Sequence, residues 1–119
     1  MDTAILGQEQ HRMNRDDVFV KYSSYGGLYF TVNNMSKAED YYIRAYQMRN
    51  TPLKETKNPS LVLEKLALIC YRLGLLMPNT NSLEYLVEAE KYYSELITNG
   101  AHHWQSRLDE IRIALSNAK

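Results

Sequence analysis

A five-residue phrase occurs twice in this chain: Ala38-Glu39-Asp40-Tyr41-Tyr42 returns as Ala89-Glu90-Lys91-Tyr92-Tyr93, each time downstream of a largely apolar segment that contains glycine. Self-similarity of this kind marks a repeat architecture, in which one unit buries its apolar face only by stacking on the next. The spacing of apolar residues around both phrases is three or four, the period of an α-helix. The expected fold is therefore all-α.

Composition narrows the function. Lys plus Arg and Asp plus Glu both number 14, giving a formal net charge of zero. A nucleic-acid binder needs a basic surface to displace phosphate counterions, and the longest basic cluster, His11 to Arg15, runs straight into Asp16-Asp17. No stretch approaches the ~20 apolar residues of a membrane span. The first ten residues lack the charged and apolar regions of a signal peptide, so a cytoplasmic location is expected. The single cysteine, Cys70, lies within Leu66-Ala67-Leu68-Ile69-Cys70 and reads as a small core residue, because no neighbouring cation would activate its thiol.

Residues 1–13 read as a polar, flexible tail, and residues 14–119 as one helical domain. Repeat one is expected over 14–50, a connection over 51–58, repeat two over 59–99 and a capping helix over 101–117. Asn14 caps the first helix, with Asp16 and Asp17 in its first turn. Val18, Tyr22, Tyr25, Tyr29 and Val32 form its apolar face. Gly26-Gly27 interrupts that face, which points either to close approach by another helix or to a break into two shorter segments.

Asn33-Asn34 ends the helix, and Ser36 with Glu39 reads as a capping box for the second, whose buried side is Ala38, Tyr41 or Tyr42, Ala45 and Met48. Asn58-Pro59 opens a third helix that is apolar nearly all round and therefore central. Pro78 and the asparagines after it end that helix, and Asn81 with Glu84 starts the fourth, with Leu83, Leu86, Ala89, Tyr93 and Leu96 or Ile97 on one side. Asn99-Gly100 is its C-terminal stop. Trp104, Leu108, Ile111 and Leu115 give the fifth helix a narrow apolar stripe, suited to a covering helix.

Tyr22-x-x-Tyr25-Gly26-x-x-Tyr29 followed by Ala38, Tyr42 and Ala45 resembles the tetratricopeptide repeat. In the second unit Leu73-Gly74 and Ala89 with Tyr93 fit that pattern, while Cys70 and Met77 replace aromatics and Leu96 replaces the final alanine. An alternative register pairs Leu66-Ala67 with Tyr25-Gly26 and needs a longer insertion; the Gly74 register is preferred. Gly26 and Gly74 are 48 residues apart and the two alanines 51, longer than the basic repeat of about 34. The proline opening the third helix adds a similarity to the long repeats of kinesin light chains.

The resemblance implies a right-handed superhelical array of two repeats plus a C-terminal capping helix, presenting a concave groove to an extended peptide or partner helix. The groove candidates are Ser23, Ser24, Phe30, Lys65, Leu68, Tyr71 and Arg72, of which Arg72 either binds an acidic group or is simply solvated. Ser23 and Gly27 stand where carboxylate-gripping members of the family carry lysine and asparagine, so that clamp is absent.

His102-His103 are adjacent and diverge on a helix, so they do not form a metal pair. No nucleophile–base pair or phosphate loop is present. The expectation is a non-enzymatic protein–protein interaction module without cofactor or metal, binding a protein or peptide and neither nucleic acid nor membrane. The alternative is a self-associating subunit, a homo-oligomer joined through the exposed ends of the array.

Overall fold

The computed structural model describes residues 15–77 and 80–118, with side chains from Val18 onward. Six α-helices follow one another: α1, Arg15–Thr31; α2, Met35–Gln47; a short α3, Asn50–Glu55; α4, Pro59–Tyr71; α5, Ser82–Thr98; and α6, Gln105–Asn117. α4 continues into a π-helical turn, Arg72–Leu76, and a 3-10 turn, His102–Trp104, leads into α6. The described residues contain no strand. The tail assigned to residues 1–13, the Asn14 cap and the Pro78 stop lie outside the described residues.

Two tight corners set the hairpins. At the end of α1, Asn33 takes a positive φ of 64°, which lets the Asn34 amide reach back to the Tyr29 carbonyl at 2.8 Å and the Asn33 amide to Phe30 at 3.2 Å. Gly100, at φ 109°, closes α5 in the same way: the Ala101 amide bonds the Leu96 carbonyl at 2.9 Å and the Gly100 amide bonds Ile97 at 3.0 Å. Both corners satisfy carbonyls that a helix end would otherwise leave unpaired. Asn34 then caps α2 by accepting the Lys37 amide, so α2 starts at Met35 and the Ser36–Glu39 box falls inside the helix. Asn58 caps α4 through the Leu61 amide, with Pro59 at the first position, as the sequence suggested. Asn81 does not cap α5 through its side chain; it hydrogen-bonds to Tyr85.

One apolar core runs along the chain from Phe19 to Ile111. The duplicated phrase serves the same purpose in both copies, since Ala38, Tyr42, Ala89 and Tyr93 are all essentially inaccessible. Small alanines bring the backbones together and the tyrosine rings fill the flanks. α1 is unbroken through Gly26-Gly27. A Cβ on Gly26 would stand 2.3 Å and 2.5 Å from two ring carbons of Tyr42, so the glycine marks a close helix crossing.

The buried edge of α1 differs from the tyrosine stripe. Phe19 is its fully buried residue, while Tyr25 and Val32 are exposed. Tyr22, Tyr25 and Tyr29 instead gather on the half-buried ring of Tyr41, with centroids 6.2, 5.2 and 5.7 Å away, the last pair stacked. A tyrosine can cover a neighbouring ring and keep its hydroxyl in water, so helical spacing of tyrosines does not by itself locate the core. On α5, Leu83 is exposed and Tyr85 takes its place in the core. The stretch read as a connection contains α3, whose Pro52 is buried and which packs on α1 and α4.

Candidate functional site

Two junctions between hairpins carry the polar side chains of interest, and they are built alike. At the first, the Arg72 guanidinium lies 4.3 Å from the centroid of Phe30 and donates to the hydroxyl of buried Tyr42. Burial pushes the Tyr42 hydroxyl pKa up, and Arg72 partly opposes that rise. At the second, the Arg107 guanidinium lies 4.4 Å from the centroid of Tyr71 and donates to the hydroxyl of buried Tyr93 at 3.1 Å. Tyr93 is likewise raised by burial and partly restored by its arginine. In each case an arginine on a later helix stacks on an aromatic ring and bonds the tyrosine that ends the repeated phrase. Arginine suits this role because its planar cation can lie flat on a ring while its edge donates hydrogen bonds.

By these contacts Phe30 corresponds to Tyr71 and Tyr42 to Tyr93, an offset of 41 residues for one pair and 51 for the other. Gly26 and Gly74 also share a role, each lying against the helix that follows it: a Cβ on Gly74 would meet Leu86 at 2.8 Å and 2.9 Å and the Leu86 amide nitrogen at 3.0 Å. Gly74 lies in the π-helical turn, where the backbone holds an extra residue per turn.

The second junction opens into a cavity of about 280 Å³ lined by Tyr71, His103, Trp104, Ser106, Arg107 and Glu110. Arg107 also lies 5.1 Å from the Trp104 ring, and His103 packs on the same indole at 4.8 Å. Tyr71 donates to Glu110 Oε1 at 2.6 Å. Burial raises the Tyr71 hydroxyl and the Glu110 carboxylate raises it further.

The groove candidates divide between these places. Phe30 and Arg72 meet at the first junction, and Gly27 lies beside them, its added Cβ 3.9 Å from an Arg72 nitrogen. Ser23 and Phe30 share a face of α1, while Lys65, Leu68 and Arg72 share one of α4, by helical spacing. Ser24 is exposed, and Lys65 and Leu68 are half-buried. The Ser23 hydroxyl is buried without a hydrogen-bond partner. Tyr71 points to the other junction. Sequence reading missed Arg107, Ser106 and Glu110, weighed His103 only as half of a metal pair, and placed Trp104 in the apolar stripe of the covering helix. The signal was there: an arginine 14 residues after Tyr93 and three after the tryptophan.

A third polar group surrounds Cys70, which is fully buried and free. Burial pushes its thiol well above the usual range, and Glu88 adds to the effect, so it is no nucleophile at neutral pH. Nearby, Arg49 covers the Tyr46 ring at 3.9 Å, while the Tyr46 hydroxyl is buried and unpaired.

Among the described residues no cluster of three or more His, Cys, Asp or Glu is placed to hold a metal, and no helix is long and apolar enough to cross a membrane. Comparison with models of known protein families, with curated proteins and with solved structures returned no match.

Proposed function

We propose that this chain is a non-enzymatic protein–protein interaction module of tetratricopeptide-like build, working in the cytoplasm, that holds an extended peptide or a partner helix against the face shared by α1 and α4. The observation that carries this reading is the repeated arginine-on-ring junction. It ties two helices that are not consecutive along the chain side by side; Ser24 is exposed on α1, and Lys65 and Leu68 stay partly accessible on the face of α4 that carries Arg72. The same junction recurring between the end of α4 and α6 supports a superhelical array.

The test replaces residues beside the seam and spares the Arg72–Phe30–Tyr42 contact. Lys65→Glu with Ser24→Arg should release a partner recovered by the wild-type protein from cell lysate, and should do so again with the purified pair. The unfolding midpoint should not change. A partner retained at full affinity rules out this face.

A second reading is favoured by one specific feature. Tyr25 and Leu28 on α1 and Val32 just past its end, three and four residues apart, form an apolar outer face that is 39%, 58% and 61% exposed. Another copy of the chain could bury it. This reading expects a mass above the 13.9 kDa monomer that rises with concentration in light scattering, and its loss in Leu28→Glu. A monomer at every concentration refutes it.

A further inference from the structure

We propose that the cavity at the second junction binds a monocarboxylate carried on a flat, apolar body. The site goes beyond the α1–α4 face and is tested independently of it. Arg107 is the basis. Its guanidinium is half-buried and held in place by three aromatic rings, those of Tyr71, Trp104 and Tyr93. Among the described residues a single hydrogen bond engages it, to the Tyr93 hydroxyl. Among the described residues, no carboxylate lies within ion-pair distance of it. A guanidinium has five N–H donors, so most of them remain available to an acceptor, and their geometry matches the two oxygens of a carboxylate. The side chain is already ordered by stacking, which removes much of the entropy cost of gripping a ligand.

The walls define the rest of the ligand. Tyr71, Trp104 and His103 offer ring surfaces, and Ser106 adds a hydroxyl at the rim. The open cavity of about 280 Å³ lies just below the usual range for a ligand site and has room for a single ring beside the acid group. Glu110 faces the same space, its charge partly engaged by the Tyr71 hydroxyl. One carboxylate beside one arginine tolerates a monoanion and disfavours a doubly charged phosphate.

Such a group occurs at the end of a peptide and in small organic acids, and the probes separate these sources. Trp104 is the single tryptophan of the chain and lines the cavity, so its fluorescence reports occupancy directly. Phenylacetate, N-acetylphenylalanine, N-acetylphenylalaninamide and inorganic phosphate are titrated in turn. Both acids should give saturable changes at about millimolar concentration, as expected for ligands of this size. The uncharged amide should bind at least about tenfold more weakly, and phosphate should give no change. Tighter binding of N-acetylphenylalanine than phenylacetate identifies a chain end as the natural ligand; the reverse order identifies a free acid.

Arg107→Gln should weaken the acids by about tenfold or more, while Glu110→Gln, which can still accept from Tyr71, should tighten them. Equal affinity for acid and amide overturns the proposal, as does a response to phosphate alone or no response to any probe. The acid–amide comparison uses the unaltered protein, so the result stands even where Arg107→Gln folds poorly.

Discussion

Gly26 and Gly27 are neighbours on one helix, and replacing each with alanine should shift stability in opposite directions. Either change gains the propensity of alanine over glycine in a helix interior, about 0.8–1 kcal/mol. At Gly27 the new methyl would sit 3.7 Å from the Tyr42 hydroxyl oxygen and 3.9 Å from an Arg72 nitrogen. These are ordinary contacts, so the gain is kept. At Gly26 it would stand 2.3 Å from a Tyr42 ring carbon, and that ring is buried, with its hydroxyl bonded to Arg72. The ring cannot swing aside, so the helices must part, at an overpacking cost of about 1–3 kcal/mol. Losing the Arg72 bond in the process adds roughly another 1 kcal/mol. Gly27→Ala should therefore be about 0.5–1 kcal/mol more stable than the parent, and Gly26→Ala about 1–3 kcal/mol less stable. Urea unfolding followed by circular dichroism measures both midpoints. Equal stabilisation by the two substitutions would refute the close crossing of α1 and α2, and with it the reason for a glycine at that position.

Two further outcomes follow from buried hydroxyls. Tyr46→Phe removes a hydroxyl that is buried without a partner and keeps the edge-on contact of its ring with Tyr85; it should be neutral or stabilise by up to about 1 kcal/mol, and a clear loss in urea unfolding would mean that the hydroxyl is bonded after all. Alkaline unfolding should begin near the ordinary tyrosine range. Burial raises the Tyr46 hydroxyl to about 12 and also raises Tyr42 and Tyr93. The unfolded chain therefore loses these protons first, and the stability present below about pH 10 declines as pH rises through the folded values. Ultraviolet titration should show these tyrosines ionising only as the fold is lost; ionisation of every tyrosine near pH 10 with the helices intact would contradict their burial.

The helices were legible because their signals are local. Asn58-Pro59 and Asn99-Gly100 act through backbone geometry within a few residues, the repeated Ala-x-x-x-Tyr marks a buried helix stripe, and all three work as the sequence implies. The glycines were legible as close approaches but not their partners. Gly26 meets the Tyr42 ring and Gly74 meets Leu86, contacts made across a helix pair that no local pattern specifies. The junction cavity was hidden for a similar reason. Its members come from α4, the turn before α6 and α6 itself, and only the fold brings Tyr71 to Arg107. Arg72 looked like a free cation because its partners, Phe30 and Tyr42, lie 42 and 30 residues upstream.

Tyr71 and Arg72 share a peptide bond and reach in different directions. One bonds Glu110 on α6, and the other bonds Tyr42 on α2. The end of α4 thus works as a hub joining the N-terminal hairpin to the C-terminal helix, at the point where the winding widens from α to π. The N-terminal hairpin and α6 are therefore tied to neighbouring links of one chain, so a change at either residue touches the anchorage of both.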